Sequence, residues 1–297
     1  MNGYIIEFKE YLKSVKKTSY NTIDAYVRDI TQFISFCESK NINNVLNIDR
    51  ETVDSYISDL KRIGKSDATK TRVIASIRCY FKCLVFLGKI ESNPADDIKN
   101  PRNAKKMPGV LDTKDILRLL EQPSGKDYKS IRDRAMLELL YATGIRVSEL
   151  IGLTLNDINI QIGIITLHGE KSERIVPIYQ KAINHLSEYI NVARPAIICD
   201  QSQDRLFTNM SGKPMSRQGC WKIIKYYADK AGIEEDITPK TLRHSFATHL
   251  LENGAQLKDV KEMLGHSDIS STQVYAELIK SRYVRSYEKF HPLAGKK

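Results

Sequence analysis

Residues 238–275, TPKTLRHSFATHLLENGAQLKDVKEMLGHSDISSTQVY, gather side chains whose types suit phosphate chemistry. Arg243 and His244 fall on one predicted helix, His266 follows a second, and Tyr275 lies nine residues further on. A guanidinium neutralises a phosphate, an imidazole donates a hydrogen bond or a proton, and a phenol can attack phosphorus. No metal is required if enough positive charge surrounds the reacting group. Two further places concentrate cations. In YATGIRVSELIGL, Arg146 follows the helix-ending Gly144, and Glu149 three residues on can hold it. In GEKSER, Lys171 and Arg174 sit at the tip of a predicted hairpin, where a lysine can reach a DNA groove or deliver a proton. Read singly, the first of these is a surface ion pair and the second an ordinary polar turn.

Several chemistries are excluded. There is no GxxxxGK[ST] and no GxGxxG after a strand, so no nucleotide cradle is predicted; there is no HExxH, and no acidic cluster suggests a two-metal nuclease. The expectation is a reaction without metal or cofactor. The five cysteines, Cys37, Cys79, Cys83, Cys199 and Cys220, match no zinc spacing and read as small buried hydrophobes of a reducing cytosol. At 297 residues, 41% hydrophobic and 28% charged, the chain has room for two soluble domains. No run of about 18 apolar residues predicts a membrane span, and the N-terminus lacks the layout of a signal peptide. The expected location is the cytoplasm.

The elements that must position these residues divide in two. Residues 1–95 read as four amphipathic helices, capped at Thr18 or Ser19, at Asp49, and at Ser66 or Asp67, with Gly64 and Gly88 as stops. Such helices with short connections form a bundle. Residues 96–110 carry Pro101 and Pro108 and read as a basic linker, and 111–297 as a second domain. There the helical period gives way to alternating, β-branched residues on both sides of Gly169–Glu173, a β-hairpin with a short strand before it, and then returns. The overall expectation is a mainly α chain with a C-terminal α+β domain. The net charge of +10 is uneven: residues 1–60 hold 7 Lys/Arg against 9 Asp/Glu, whereas 61–110 hold 12 against 4. That concentration predicts a polyanion partner, with Lys70, Arg72, Arg78, Lys82, Lys105, Lys106 and the hairpin Arg174 as candidate DNA contacts.

TGIRVSEL, the hairpin ending RIVPI, LRHSFATHLL, LGHSDISSTQVY and a closing HPLA occur in this order. Together they resemble the tyrosine site-specific recombinases (the phage integrase family), most closely the Xer type. SYNTIDAYVRDITQF and NPADDIKNPR are similar to that family's SAM-like core-binding domain and linker, so the likeness spans essentially the whole chain. It implies an N-terminal four-helix core-binding bundle and a catalytic domain with a small three-stranded antiparallel sheet. It also implies that Arg146 and Arg243 are the two catalytic arginines, His266 the histidine-or-tryptophan position, Tyr275 the nucleophile, and Glu149 the acid supporting Arg146. Two positions depart from the family pattern. Lys240 stands where histidine is usual; it can donate to phosphate but, charged, cannot accept. Hairpins of this type often read GKGxKER, and the lysine position falls on Gly169, which leaves Lys171 as the nearest lysine for that role. Of the other imidazoles, His249 and His244 read as packing or supporting groups, and His168 and His185 have no partner motif.

By resemblance, the reaction is transesterification through a 3′-phosphotyrosyl bond and a Holliday junction, in chromosome dimer resolution. The expected partners are double-stranded DNA with a roughly palindromic site, a homo- or hetero-tetramer on two sites with exchanged C-terminal helices, and an activating DNA translocase. An integrase or resolvase of a mobile element is the alternative within this chemistry. A type IB topoisomerase shares the chemistry without a specific site. A catalytically impaired architectural DNA-binding protein is the alternative from another class.

Overall fold

The computed structural model describes residues 3–101, 109–169, 173–198 and 204–265. It divides into two compact units, Met1–Lys105 and Lys106–Lys297. The expected positions Lys105, Lys106, Lys171, His266 and Tyr275, with the whole C-terminal helix, lie outside the described residues.

The first unit is built from α1 (Gly3–Ser14), α2 (Tyr20–Ser39), α3 (Arg50–Arg62) and α4 (Asp67–Phe86). Asp49 caps α3 by accepting from the Thr52 amide, and Ser66 caps α4 by accepting from Thr69. The apolar stripes meet in a core where Phe8, Leu12, Ile30, Phe33, Ile77, Tyr80, Phe81 and Leu84 are fully buried. Burial of each such side chain contributes about 1.5–3 kcal/mol before the entropy of ordering is set against it. One polar link crosses this core: Asp29 of α2, pushed above the usual carboxylate range by burial, accepts from Arg72 at 2.6 Å and Ser76 at 3.2 Å, both on α4. Ala95 and Ile98 are buried in the same core, and Arg78 donates to the carbonyls of both. The first core thus extends beyond residue 95, because the chain after α4 folds back onto it.

In the second unit, α5 (Thr113–Glu121) and α6 (Tyr128–Thr143) are followed by α7 (Val147–Gly152). The strands β1 (Ile158–Asn159), β2 (Ile164–His168) and β3 (Glu173–Pro177) form an antiparallel sheet in the order β1-β2-β3. Then come α8 (Gln180–Glu188), a π turn at Tyr189–Ala193, α9 (Arg194–Ile197), α10 (Arg217–Lys230), α11 (Pro239–Glu252) and α12 (Leu257–Leu264). A mainly helical chain with a three-stranded antiparallel sheet in its second domain is what the sequence predicted. The predicted single helix over KAINHLSEYINVAR is instead interrupted by the π turn, where Tyr189 turns inward, stacks on Phe207 at 5.2 Å and donates to Leu206 O.

Helix α6 is the axis of this unit and is buried on nearly every side, charged residues included. Its buried charges are partnered. Asp133 accepts from Arg132 and from the Tyr227 hydroxyl, and Glu138 accepts a short bond from Tyr179. α6 ends at Gly144, in the left-handed region at φ 57°, and a Cβ there would lie 2.2 Å from the Phe246 ring. Gly144→Ala is expected to lower the unfolding free energy of this unit by about 2–4 kcal/mol, combining backbone strain with overpacking. Gly254 shares a positive φ (94°) but would meet nothing within 4 Å. Gly254→Ala is therefore expected to cost only about 1–2 kcal/mol, the backbone part alone. Urea denaturation of the two variants checks the difference.

Candidate active site

The site begins where α6 stops. The left-handed turn at Gly144 reverses the chain so that Arg146 becomes the N-cap of α7 with extended backbone. Glu149, at the third position of α7, reaches back: Oε2 accepts from the Arg146 amide at 2.7 Å, and Oε1 accepts from Arg146 Nη1 at 3.0 Å. This carboxylate therefore both caps the helix and orients the guanidinium. The Arg146 side chain is 44% exposed, open to a ligand while held at its base.

Arg243 approaches from α11. The N-cap Thr238 accepts from the Thr241 amide and Pro239 takes the first helical position, which sets the helix start and places Arg243 on its buried face. Its Nη1 donates to Gly144 O at 2.6 Å and its Nη2 to Leu264 O at 2.7 Å. One guanidinium thus joins the end of α6 to the end of α12. Arg146 Nη2 reaches Gly265 O, at 3.3 Å, from the other side. Gly265 caps α12 at φ 62°, and His266 is the next residue in the chain.

Arg174 of β3 completes this group. Its Nη2 donates to Glu149 Oε2 at 2.9 Å and its Nε to Met263 O at 2.9 Å. The sequence suggests a DNA contact for Arg174, but its side chain is 13% exposed and turned to the protein. The sheet register explains this: Arg174 pairs with Leu167 and so shares a face with the buried Ile165, Leu167 and Val176. Burial acts to raise the pKa of Glu149, but the Arg174 hydrogen bond, the Arg146 amide and the two positive charges outweigh it and hold the carboxyl below its ordinary range.

Lys240 is exposed at the second residue of α11, one turn before His244. Burial, followed by the charges of Lys240 and Arg243, lowers His244 to about 4, so its imidazole is neutral near pH 7. His249 is structural, as expected: Nδ1 meets the Tyr141 hydroxyl at 2.9 Å and Nε2 meets Leu111 O at 2.9 Å. His168, without a motif in the sequence, sits between Asp157 at 2.9 Å and Glu173 at 2.8 Å, and the two carboxylates raise its pKa.

The candidate DNA contacts of α4 differ in availability. Lys82 is 53% exposed and Arg72 43%, although Arg72 also holds Asp29. Lys70 is 11% exposed and paired with Asp67, and Arg78 is bound to Ala95 O and Ile98 O. Sequence reasoning passed over α10, whose outer face exposes Arg217, Trp221, Lys222 and Tyr226. Their i, i+4, i+5, i+9 spacing opposite the buried Cys220, Ile224 and Tyr227 was the available signal. Interleaved cations and aromatic rings suit a nucleic-acid surface.

A buried arginine joining two helix ends, a second arginine held by a carboxylate, and an adjoining antiparallel hairpin form one cationic cluster suited to an anionic ligand such as a phosphate. Residues 109–282 match the phage integrase family and residues 5–86 the phage integrase N-terminal SAM-like domain. The tyrosine recombinase XerD of Staphylococcus epidermidis is 43% identical over 295 residues, spanning 99% of this chain and 100% of that one. XerD of Halalkalibacterium halodurans is 43% identical over 296 residues, 99% of each. Among solved structures, XerA recombinase aligns over 98% of both chains at 27% identity with a TM-score of 0.55. XerH bound to its palindromic difH substrate shares the fold, at 22% identity, with a TM-score of 0.74 over 95% of this chain and 83% of that one. The chain belongs to the phage integrase family of tyrosine recombinases, enzymes that cleave and rejoin DNA.

Because the folded pKa of Glu149 is depressed, its contribution is present above the ordinary carboxylate pKa and is lost as pH falls through the folded value. Glu149→Gln is expected to cost about 1–3 kcal/mol at pH 7, from removing a charged acceptor shared by two arginines. The gap from the unsubstituted protein should narrow below about pH 4. Denaturant titrations across that range measure it.

Proposed function

We propose that this recombinase is of the Xer type and resolves chromosome dimers, acting in the cytoplasm on a roughly palindromic duplex site. Two observations support this: identity to XerD relatives along nearly the full chain, and a fold shared with recombinases solved on DNA. Two sites would be brought together by four protomers, of one kind or two, with exchanged C-terminal helices and a DNA translocase as activator. The observation that carries the residue-level reading is the meeting of Arg146 and Arg243 at the end of α12, one residue before His266.

In this reading Tyr275 attacks the scissile phosphorus. Its phenol, which titrates near pH 10 when free, gives up its proton to water as the new O–P bond forms. The bond to the 5′-oxygen breaks, and Lys171 protonates that oxygen. The covalent 3′-phosphotyrosyl bond keeps the energy needed for rejoining, so no nucleotide is consumed. Arg146 and Arg243 take the non-bridging oxygens of the transition state, with further hydrogen bonds from Lys240 and His266. Glu149 keeps Arg146 in place. Lys82, Arg72, Lys105, Lys106 and the outer face of α10 contact the duplex, mostly at phosphates.

The test uses the palindromic duplex bound most tightly from a randomised pool, nicked in turn across its centre. The unsubstituted protein should trap a covalent adduct and Tyr275→Phe should trap none; an unsubstituted protein that traps nothing overturns the reading. Arg146→Ala and Arg243→Ala should each slow trapping on the order of 10²–10³-fold. Affinity should fall steeply with salt, at a slope of about 0.9 per phosphate contacted.

A further inference from the structure

Arg174 lies on the hairpin strand yet turns away from solvent. We propose that Arg174 is a positioning residue of the recombination site: its guanidinium bridges Glu149 and the last turn of α12, and thereby fixes the direction in which Arg146 presents its own guanidinium. This rests on the recombinase reading above and deepens it.

Three observations carry it. First, the bridge has two ends on different elements, Nη2 on Glu149 Oε2 and Nε on Met263 O, each at 2.9 Å. The planar fork of an arginine suits such a pair of acceptors; a lysine would bring the charge without the fork. Second, Glu149 is the only acidic side chain bonded to Arg146 among the described residues, and the oxygen that takes Arg174 also takes the Arg146 amide. Displacing that oxygen would turn the carboxylate and, with it, the arginine that its other oxygen holds. Third, the guanidinium packs against Gly265, where a Cβ would lie 2.7 Å from Nη1 and 2.8 Å from Cζ. That close approach requires glycine, as does the φ of 62°.

An active-site group displaced by about 1 Å can cost on the order of 10²-fold in rate without loss of binding. With the nicked duplexes described above, Arg174→Gln is expected to slow covalent trapping by on the order of 10–10²-fold. Its affinity for the uncut duplex should stay within about twofold, with an unchanged salt slope. Arg174→Lys should resemble Arg174→Gln more than the unsubstituted protein. The double variant with Glu149→Gln should be no slower than the slower single variant, because both act through one contact. If Arg174→Gln does not fold, as judged by its melting curve, Arg174→Lys is read in its place against the same expectations. Three results would overturn the proposal. One is trapping at the unsubstituted rate, and another is weaker binding with a salt slope shallower by about 0.9, the mark of a phosphate contact. The third is a double-variant loss equal to the product of the single losses. If the unsubstituted protein itself traps nothing, it is the recombinase reading that fails.

Discussion

Three guanidinium groups end on three consecutive carbonyls at the C-terminus of α12: Arg174 on Met263 O, Arg243 on Leu264 O and Arg146 on Gly265 O. The last carbonyls of a helix have no partner within it, and they carry the negative end of its dipole. They are therefore acceptors that can hold several cations without neutralising them. One carboxylate, Glu149, joins two of the three arginines. The cluster thus keeps a positive excess, which is what a phosphate passing through a more highly charged transition state requires.

This arrangement accounts for features that would otherwise look unrelated. Glycines stand at the ends of both α6 and α12 because each helix must turn away through the left-handed region and expose its carbonyls to arginine. The N-terminus of α7 lies beside the Gly144 turn, so Glu149 can cap it and hold Arg146 with the same carboxylate. His244 stays neutral because it is buried, with the charges of Lys240 and Arg243 acting in the same direction. The cations come from separate stretches of sequence, so their mutual repulsion is offset only once α6, α7, β3, α11 and α12 are packed together.

Much of this was legible in the residues. Gly144, Arg146 and Glu149 lie close enough in sequence for the stop, the cap and the ion pair to be read directly, and the alternation around Gly169–Glu173 marked the hairpin. The buried role of Arg174 was less visible because its neighbours Glu173 and Lys171 suggest a solvated turn. Only the register, which sets Arg174 opposite Leu167, places it on the core face. The contribution of α12 was not legible at all, since its acceptors are main-chain carbonyls and carry no residue-type signal. On α4, Lys70, Arg72, Arg78 and Lys82 were grouped from sequence as candidate DNA contacts. Composition could not reveal that Arg78 and Lys70 are tied to the protein, because their partners, Ala95 O, Ile98 O and Asp67, depend on how the chain folds back and on rotamer choice.

The apolar packing beneath the site explains why polar contacts have so much to do there. Val260 and Leu264 of α12 belong to a small cluster with Phe246 and Ala247, separate from the large core around α6. A helix of eight residues resting on two buried side chains gains little from its own propensity or from area burial. Its position is set largely by the arginines at its C-terminus. Phe246 belongs to that cluster and also packs over Gly144, so the end of α6 and the seat of α12 share one side chain. Small shifts of α12 would therefore be felt at all three arginines together. The site is a single electrostatic unit rather than a set of independent side chains, and removing one member should disturb the others more than its own contacts suggest.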